Sequence, residues 1–338
     1  MSKPTNEPEP KPLPPIITLE EHYISSSLLA QKAIDDLTFN YVLPKLSNID
    51  EERIRDMDAG SVTLQVLSHV AIETLSPELA RETNDELHTA LQQLSQTHPG
   101  SSPRRLAAFA NLPMADPPAA AAELTRTTQD LGFVGALINN HLSGRFYDDS
   151  FFWPVFERAQ ELDVPIYIHP MFPTPSKETK ERYEGNYSDV AGYFLGMAGW
   201  GWHADTGLHV LRLWASGVWD RFPRLKVVIG HMGELIPFQL DRIVPMSQRW
   251  GEHKRGLREV WRENIWVTTS GMFSLAPMAC LLHASPADHI MFSVDYPFSS
   301  NETGKKFLEE LRDSELVNEE EFEGIAFKNA ERLLKVKV

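Results

Sequence analysis

Val164-Pro165-Ile166-Tyr167-Ile168-His169-Pro170 begins beside a proline, runs through β-branched and aromatic residues, and stops on an ionisable side chain. β-Branched and aromatic residues suit a pleated, buried surface, and proline is tolerated at a strand's entry but not in its middle. The stretch therefore reads as a buried strand that delivers a histidine at its exit. The same grammar recurs at Ile16–His22, Val62–His69, Leu106–Leu112, Val134–Asn139, Lys226–His231, Ile265–Ser270 and His289–Asp295, which makes eight predicted strands with Val164–His169.

Segments of helical period stand between these runs, with start and stop signals. Asp50-Glu51-Glu52 places acids in a first turn ahead of Ile54 and Met57, with Gly60 where a C-terminal cap falls. Ser76-Pro77-Glu78 opens a helix through Leu91, and Asp116-Pro117-Pro118 another through Leu131. Asp148 or Asp149 caps Phe151–Leu162, and Asn318–Leu334 reads as a final helix. Strands alternating with helices imply a parallel α/β sheet, and eight such units imply closure into a (β/α)8 TIM barrel. One domain over residues 16–338 is expected, preceded by a flexible proline-rich arm at 1–15. The connection after His169 breaks the rhythm. An aromatic, glycine-rich loop at 171–202 precedes a helix around Leu208–Val218, and long loops of this kind are commonly lids or interface pieces.

Bulk composition excludes several functions. The 338-residue chain carries a net charge of −15, which argues against nucleic acid as a partner, since such binding needs cationic patches. No apolar run reaches the roughly 18 residues that a membrane span requires, and residues 4–15 contain no apolar leader segment. The single cysteine, Cys280, excludes an intramolecular disulfide framework and suits a reducing compartment. A cytoplasmic protein is expected.

The strand ends carry the chemistry. Glu20 and His22 lie two apart and share one side of their strand, while Glu21 faces the other way as a helix-facing or surface acid. His169, His231 and Asp295 end three further strands. In a parallel barrel these ends meet at one mouth, where catalysis takes place in this architecture. Carboxylates and imidazoles together suit a divalent ion, so Glu20, His22, His169 and Asp295 form the candidate metal shell. Taken singly, a strand-end histidine is more often structural and a strand-end aspartate often caps a helix; four at one face point to a metal. His69 and His141 read as structural, and His203 and His209, six apart, share no helical face. His231 is open between a further ligand and an acid–base group. Glu234 is open between accepting the His231 N–H and capping the helix that follows.

Leu19-Glu20-Glu21-His22, Ile168-His169-Pro170, Gly230-His231-Met232-Gly233-Glu234 and Ser293-Val294-Asp295-Tyr296-Pro297-Phe298 together resemble the amidohydrolase superfamily, in its ACMSD-like branch of nonoxidative decarboxylases. The segment 207–234 is similar to γ-resorcylate and 2,3-dihydroxybenzoate decarboxylases, and the likeness spans about residues 16–334. Glu20-x-His22 replaces the His-x-His of dinuclear members, and Asn139-Asn140 stands where those carry a bridging lysine. The resemblance thus implies one divalent metal ion per chain, Mn²⁺ or Zn²⁺ first and Mg²⁺ third, although some relatives have alanine in place of His22. It implies Asp295, His231 and Glu234 as catalytic residues, and Arg242 and Phe298 as substrate-binding ones. It also implies a homodimer or homotetramer acting on a small aromatic acid with an ortho hydroxyl, from which CO₂ leaves after protonation of the ipso carbon. The competing expectation is a metal-dependent hydrolase of the same superfamily, lactonase or amidohydrolase in type.

Overall fold

Every strand pair in the computed structural model, which describes residues 12–30, 41–70, 72, 74–97 and 105–338, is parallel. The strands are β1 (Ile17–Tyr23), β2 (Leu64–His69), β3 (Leu106–Ala108), β4 (Ala136–Asn139), β5 (Ile166–His169), β6 (Val227–Ile229), β7 (Ile265–Thr268) and β8 (Ile290–Met291). They pair in the orders β1-β2-β3 and β4 through β8. Two isolated parallel bridges, Ala110 with Ala136 and Glu21 with Tyr296, join the two sheets at both edges and close the barrel. Among the described residues no strand edge of the barrel is left unpaired.

Alternation along each strand builds two apolar layers. Ile17, Leu19, Leu64, Val66, Leu137, Tyr167, Val228, Trp266 and Met291 form one buried cluster along the barrel axis. Ile138, Ile166, Ile168, Val227, Ile229, Ile265, Val267 and Ile290 belong to the other, which packs against the helices. Ala330, Leu333 and Leu334 of the C-terminal helix join the axial cluster and plug the end of the barrel where the strands begin.

The surrounding helices used below are α1 (Glu51–Ala59), α2 (Pro77–Thr97), α3 (Pro117–Gln129), α4 (Trp153–Leu162), α5 (Gly201–Ala215), α6 (Ile236–Ser247), α7 (Leu275–Ala284) and α8 (Asn301–Asp313). Asp50 caps α1 through Glu52 N, Asp116 caps α3 through Ala119 N, and Asp149 rather than Asp148 receives the Phe151 N–H ahead of α4. Gly60 ends α1, but its φ of −86° shows that no left-handed turn requires glycine. Close approach does: a Cβ there would lie 2.3 Å from the Cβ of Asn301 on α8. The C-terminal segment starts on an Asn318–Glu321 capping box and passes through a π-helical turn at Gly324–Lys328 before Asn329–Leu334.

Two sequence expectations are corrected. The stretch 171–202 is no plain loop, because it holds helices at Lys177–Tyr183 and Asp189–Gly196 capped by Ser176 and Ser188. They are too short for a periodic pattern to betray them. The helix expected around Leu208–Val218 begins earlier, at Gly201. Residues 1–11 of the arm lie outside the described residues.

Candidate active site

A break in register on β1 builds the site. Thr18 pairs with Gln65 but Glu21 pairs with Leu67, so β1 carries one residue more than β2 over this stretch. Simple alternation from Ile17 and Leu19 would turn Glu21 to the axis. The bulge gives that place to Glu20 and His22 instead. On β5, β7 and β8 the inward parity of Tyr167, Trp266 and Met291 runs on unbroken to His169, Thr268 and Ser270, and Asp295.

Glu20, His22, His169 and Asp295 offer one ligand atom each, all within 4.8 Å of one another. The closest approaches are 3.1 Å for His22 Nε2 to Asp295 Oδ1 and 3.2 Å for His169 Nε2 to Glu20 Oε1. Glu20 Oε1 and His22 Nε2 are buried without a hydrogen-bond partner among the described residues, a costly state for polar atoms. By contrast Glu20 Oε2 is saturated, accepting from the hydroxyls of Tyr167, Ser270 and Thr268. His169 donates from Nδ1 to the Pro170 carbonyl at 2.7 Å, which leaves its Nε2 lone pair facing inward. Two carboxylate oxygens and two imidazole lone pairs converging in a buried spot fit a divalent cation.

Electrostatics follow from that crowding. Burial works against the charge of Glu20, yet the His231, His169 and His22 imidazoles hold its carboxyl well below the usual range. Burial pushes His22 down to about 4. Burial, reinforced by the neighbouring Glu20, pushes Asp295 up to about 7, a shift that a cation bound to one of its oxygens would partly offset.

His231 stands beside this set, its Nε2 3.9 Å from Glu20 Oε1 and 4.0 Å from Asp295 Oδ2. Residues 231 to 235 all have positive φ, from 48° at His231 to 92° at Gly233. Such a left-handed run is rare outside glycine and concentrates at functional sites. It folds Glu234 back beneath His231, with Oε1 accepting from Nδ1 at 2.8 Å. The helix begins only at Ile236, so Glu234 is not its capping residue. Glu234 Oε2 accepts from His203 Nδ1 of α5 at 2.7 Å. Burial resists charge on His231, but Glu234 and Glu20 outweigh it and raise the imidazole to about 10, a shift that a cation bound at Glu20 and Asp295 would oppose.

Three participants escaped the sequence reading. His203 reaches Glu234 from the segment after β5; its spacing from His209 says only that the two face apart, and His209 indeed lies in the wall against Asn140 and Tyr147. Tyr167 was read only as strand. Glu21 turns away from the axis as expected, but it is fully buried, which overturns the surface alternative of its reading. It accepts from Ser293 Oγ, Val294 N and Tyr296 N at 3.0, 3.0 and 3.1 Å, clamping the chain on both sides of Asp295. Burial raises it to about 8.

A cavity of about 200 Å³ opens over the cluster, lined on its polar side by His22, His169, His231 and Asp295 and elsewhere by apolar residues including Phe172, Met197, Trp202 and Phe298. Phe298 meets the His22 ring edge-on at 5.6 Å between centroids. Arg242 does not line the cavity of its own chain. It is exposed on α6, whose buried positions are Ile236, Leu240 and Ser247; two residues beyond Leu240 on a helix is the opposite face.

A family model described as amidohydrolase matches residues 36–336. The chain belongs to the amidohydrolase family. This amidohydrolase is 48% identical over 334 residues to the decarboxylase orsB of Emericella nidulans, covering 96% of this chain and 98% of that one. It is 33% identical to the γ-resorcylate decarboxylase of a Polaromonas species, covering 95% and 98%. A solved dihydroxybenzoic acid decarboxylase from Polaromonas, holding manganese and the inhibitor 2-nitroresorcinol, superposes with a TM-score of 0.80 at 31% identity, covering 96% and 97%. The relatives place the chain in the decarboxylase branch of the family.

Proposed function

We propose that this amidohydrolase removes CO₂, without oxidation, from an aromatic acid bearing a hydroxyl ortho to the carboxylate. The observation that carries the reading is the convergence of unpartnered Glu20 Oε1 and His22 Nε2 on His169 and Asp295, beneath a small cavity with aromatic walls. Glu20, His22, His169 and Asp295 would hold one divalent ion per chain, Mn²⁺ ahead of Zn²⁺ and Mg²⁺. When bound, that ion would supply Lewis-acid stabilisation of negative charge on the substrate.

The residues do the rest. Direct loss of CO₂ would leave an aryl anion, so the ring must first be protonated at the ipso carbon. Asp295 suits this: Oδ1 lies toward His22 while Oδ2 faces His231 across the cavity, so one oxygen serves the ligand set and the other the ring. The Asp295 proton forms the new C–H bond. The C–CO₂ bond then breaks, its electron pair restores aromaticity, and solvent reprotonates Asp295. His231, held by Glu234, takes the phenolic proton and returns it. Phe172, Trp202 and Phe298 enclose the ring and exclude water.

Turnover in D₂O across a panel of hydroxybenzoates, with lactones as the control, tests this. One deuterium at the vacated ring position is expected. Product lacking it would refute protonation at the ipso carbon, and lactone cleavage with no CO₂ from any phenolic acid would favour the hydrolase instead.

We further propose a homodimer or homotetramer, because Phe238 at 81%, Val190 at 65% and Trp200 at 57% exposure are costly to leave in water. We place the enzyme in the cytoplasm, in keeping with its one free cysteine. Among the described residues no helix is long and apolar enough to cross a membrane.

A further inference from the structure

Glu234 is shared. Its two oxygens each receive an imidazole Nδ1, from His231 at 2.8 Å and from His203 at 2.7 Å, and the two rings lie 4.5 Å apart between centroids. The carboxylate is completely buried and charged, held below the usual range against the effect of burial by His231 and His203. A buried carboxylate with only one of its oxygens engaged can rotate. Engaging both fixes its plane and keeps a full acceptor on His231. That bond sets the His231 tautomer: Nδ1 carries the proton, and Nε2 faces Glu20, Asp295 and the cavity.

His203 reaches further than Glu234. It sits in the first turn of α5, and its Nε2 lies 3.0 Å from the indole nitrogen of Trp202, whose N–H it accepts when Nδ1 carries the proton, and 3.1 Å from the Ala198 carbonyl oxygen. Trp202 is itself a wall of the cavity, edge-on to Phe172 at 5.8 Å. An unbroken chain therefore runs from the cavity wall through His203 and Glu234 to His231. The helix after β5 closes it from outside the strand ends, and Gly207 lets that helix approach, since a Cβ there would lie 2.5 Å from the Glu234 carbonyl.

We propose that His203 is a positioning residue for His231: it locks the shared Glu234 carboxylate, fixes which His231 nitrogen faces the substrate, and ties that setting to the Trp202 wall. The kinetic part rests on the decarboxylase reading above, with His231 as the acid–base group. The tautomer part does not.

The test uses the full-length, metal-loaded protein with His203→Phe, which removes the donor to Glu234, and His203→Asn, whose amide N–H stands near the lost Nδ1. His203→Leu serves as the donor-free variant if the phenylalanine protein does not fold. On the best substrate of the panel, the donor-free variant should lose about 10- to 100-fold in kcat, as loss of an outer hydrogen-bond partner typically does. Its KM and metal content should stay within about two-fold, and His203→Asn should recover most of the loss. ¹⁵N-histidine NMR, which needs no turnover, should show His231 protonated at Nδ1 in the wild type and in His203→Asn, and a tautomer mixture in the donor-free variant. Unchanged kcat in the donor-free variant, His203→Asn impaired as severely, or an unaltered His231 tautomer would each overturn the proposal. So would two ions per wild-type chain with one lost in the donor-free variant, for then a metal and not a hydrogen-bonded carboxylate joins the two imidazoles. A wild type that releases no CO₂ from any phenolic acid refutes the decarboxylase reading alone, and the NMR comparison still decides the positioning.

Discussion

Tyr167 offers no charge to a metal, yet it governs how Glu20 can bind one. Its hydroxyl, with those of Ser270 and Thr268, occupies Glu20 Oε2 and leaves Oε1 as the ligand atom. Gly230 permits the arrangement, since a Cβ there would lie 2.6 Å from Glu20 Oε2. Tyr167→Phe removes one of three donors, so metal affinity should fall about 10-fold, the lower end for an outer hydrogen-bond partner; competition with a calibrated chelator measures it, and an unchanged Kd would remove Tyr167 from the metal's support. His169 and His231 should separate by the same logic. His169→Ala should lose the ion, because its Nε2 lies among the ligand atoms. His231→Ala should keep the ion and lose turnover, because its Nε2 stands 3.9 Å from the nearest Glu20 oxygen. Elemental analysis and CO₂ release on the same samples decide, and equal metal loss would make His231 a ligand. The six ionisable residues that the structure gathers, Glu20, His22, His169, His231, Glu234 and Asp295, were readable because strand alternation and chain direction put them at one mouth. Tyr167 was not, because a tyrosine inside an apolar run looks the same whether its hydroxyl is idle or holding a carboxylate.

At the scale of elements, strands were more legible than their connections. A strand announces itself by alternation and by the turn residues around it; seven strands fall within their runs, and β1 passes the end of its run by one residue, Tyr23. The β1 bulge left no mark in the sequence, since register is a property of two strands and only one is read at a time. Helices of seven and eight residues inside 171–202 were equally silent. What this segment does depends on how α5 meets the left-handed turn at 231–235, and Gly207 is the point of contact. Gly207→Ala should favour α5 as an isolated helix by up to about 1 kcal/mol. The added methyl must nevertheless displace the Glu234 backbone, which a Cβ would approach to 2.5 Å. The steric effect should win at the site. We expect kcat to fall about 10-fold with little change in melting temperature, measured on metal-loaded protein, whereas full activity with a raised melting temperature would show that the turn yields freely.

For the whole molecule, exposure of Phe238, Val190 and Trp200 predicts an oligomer by light scattering at micromolar concentration, and a monomeric mass would refute it. Acid stability is the other global property that the interior decides. His209 is wholly buried in the barrel wall, with Nδ1 on Asn140 Oδ1 and Nε2 accepting from Tyr147 N, both at 3.0 Å. Burial, together with the charges of Arg212 and His141 that face it, drives the imidazole down to about 3. The unfolded chain restores it to about 6.5. Below that pH the unfolded state takes up a proton that the folded state refuses, so stability present above about 6.5 is lost as pH falls toward 3, by about 1.4 kcal/mol per pH unit. Other buried groups also contribute to the wild-type profile, in both directions. His69, pushed by burial to about 3, adds to the acid loss, while Glu21, raised by burial to about 8, gains stability as pH falls through the range between 8 and its ordinary value. A variant difference cancels them. In His209→Gln the amide can still accept from Tyr147 and donate to Asn140, but it does not titrate. The variant should be less stable than wild type at pH 7.5 and should close that gap by roughly 2 to 3 kcal/mol at pH 4.5, as read from urea midpoints of matched metal-loaded samples. Parallel profiles for the two proteins would mean that His209 titrates alike in the folded and unfolded chain.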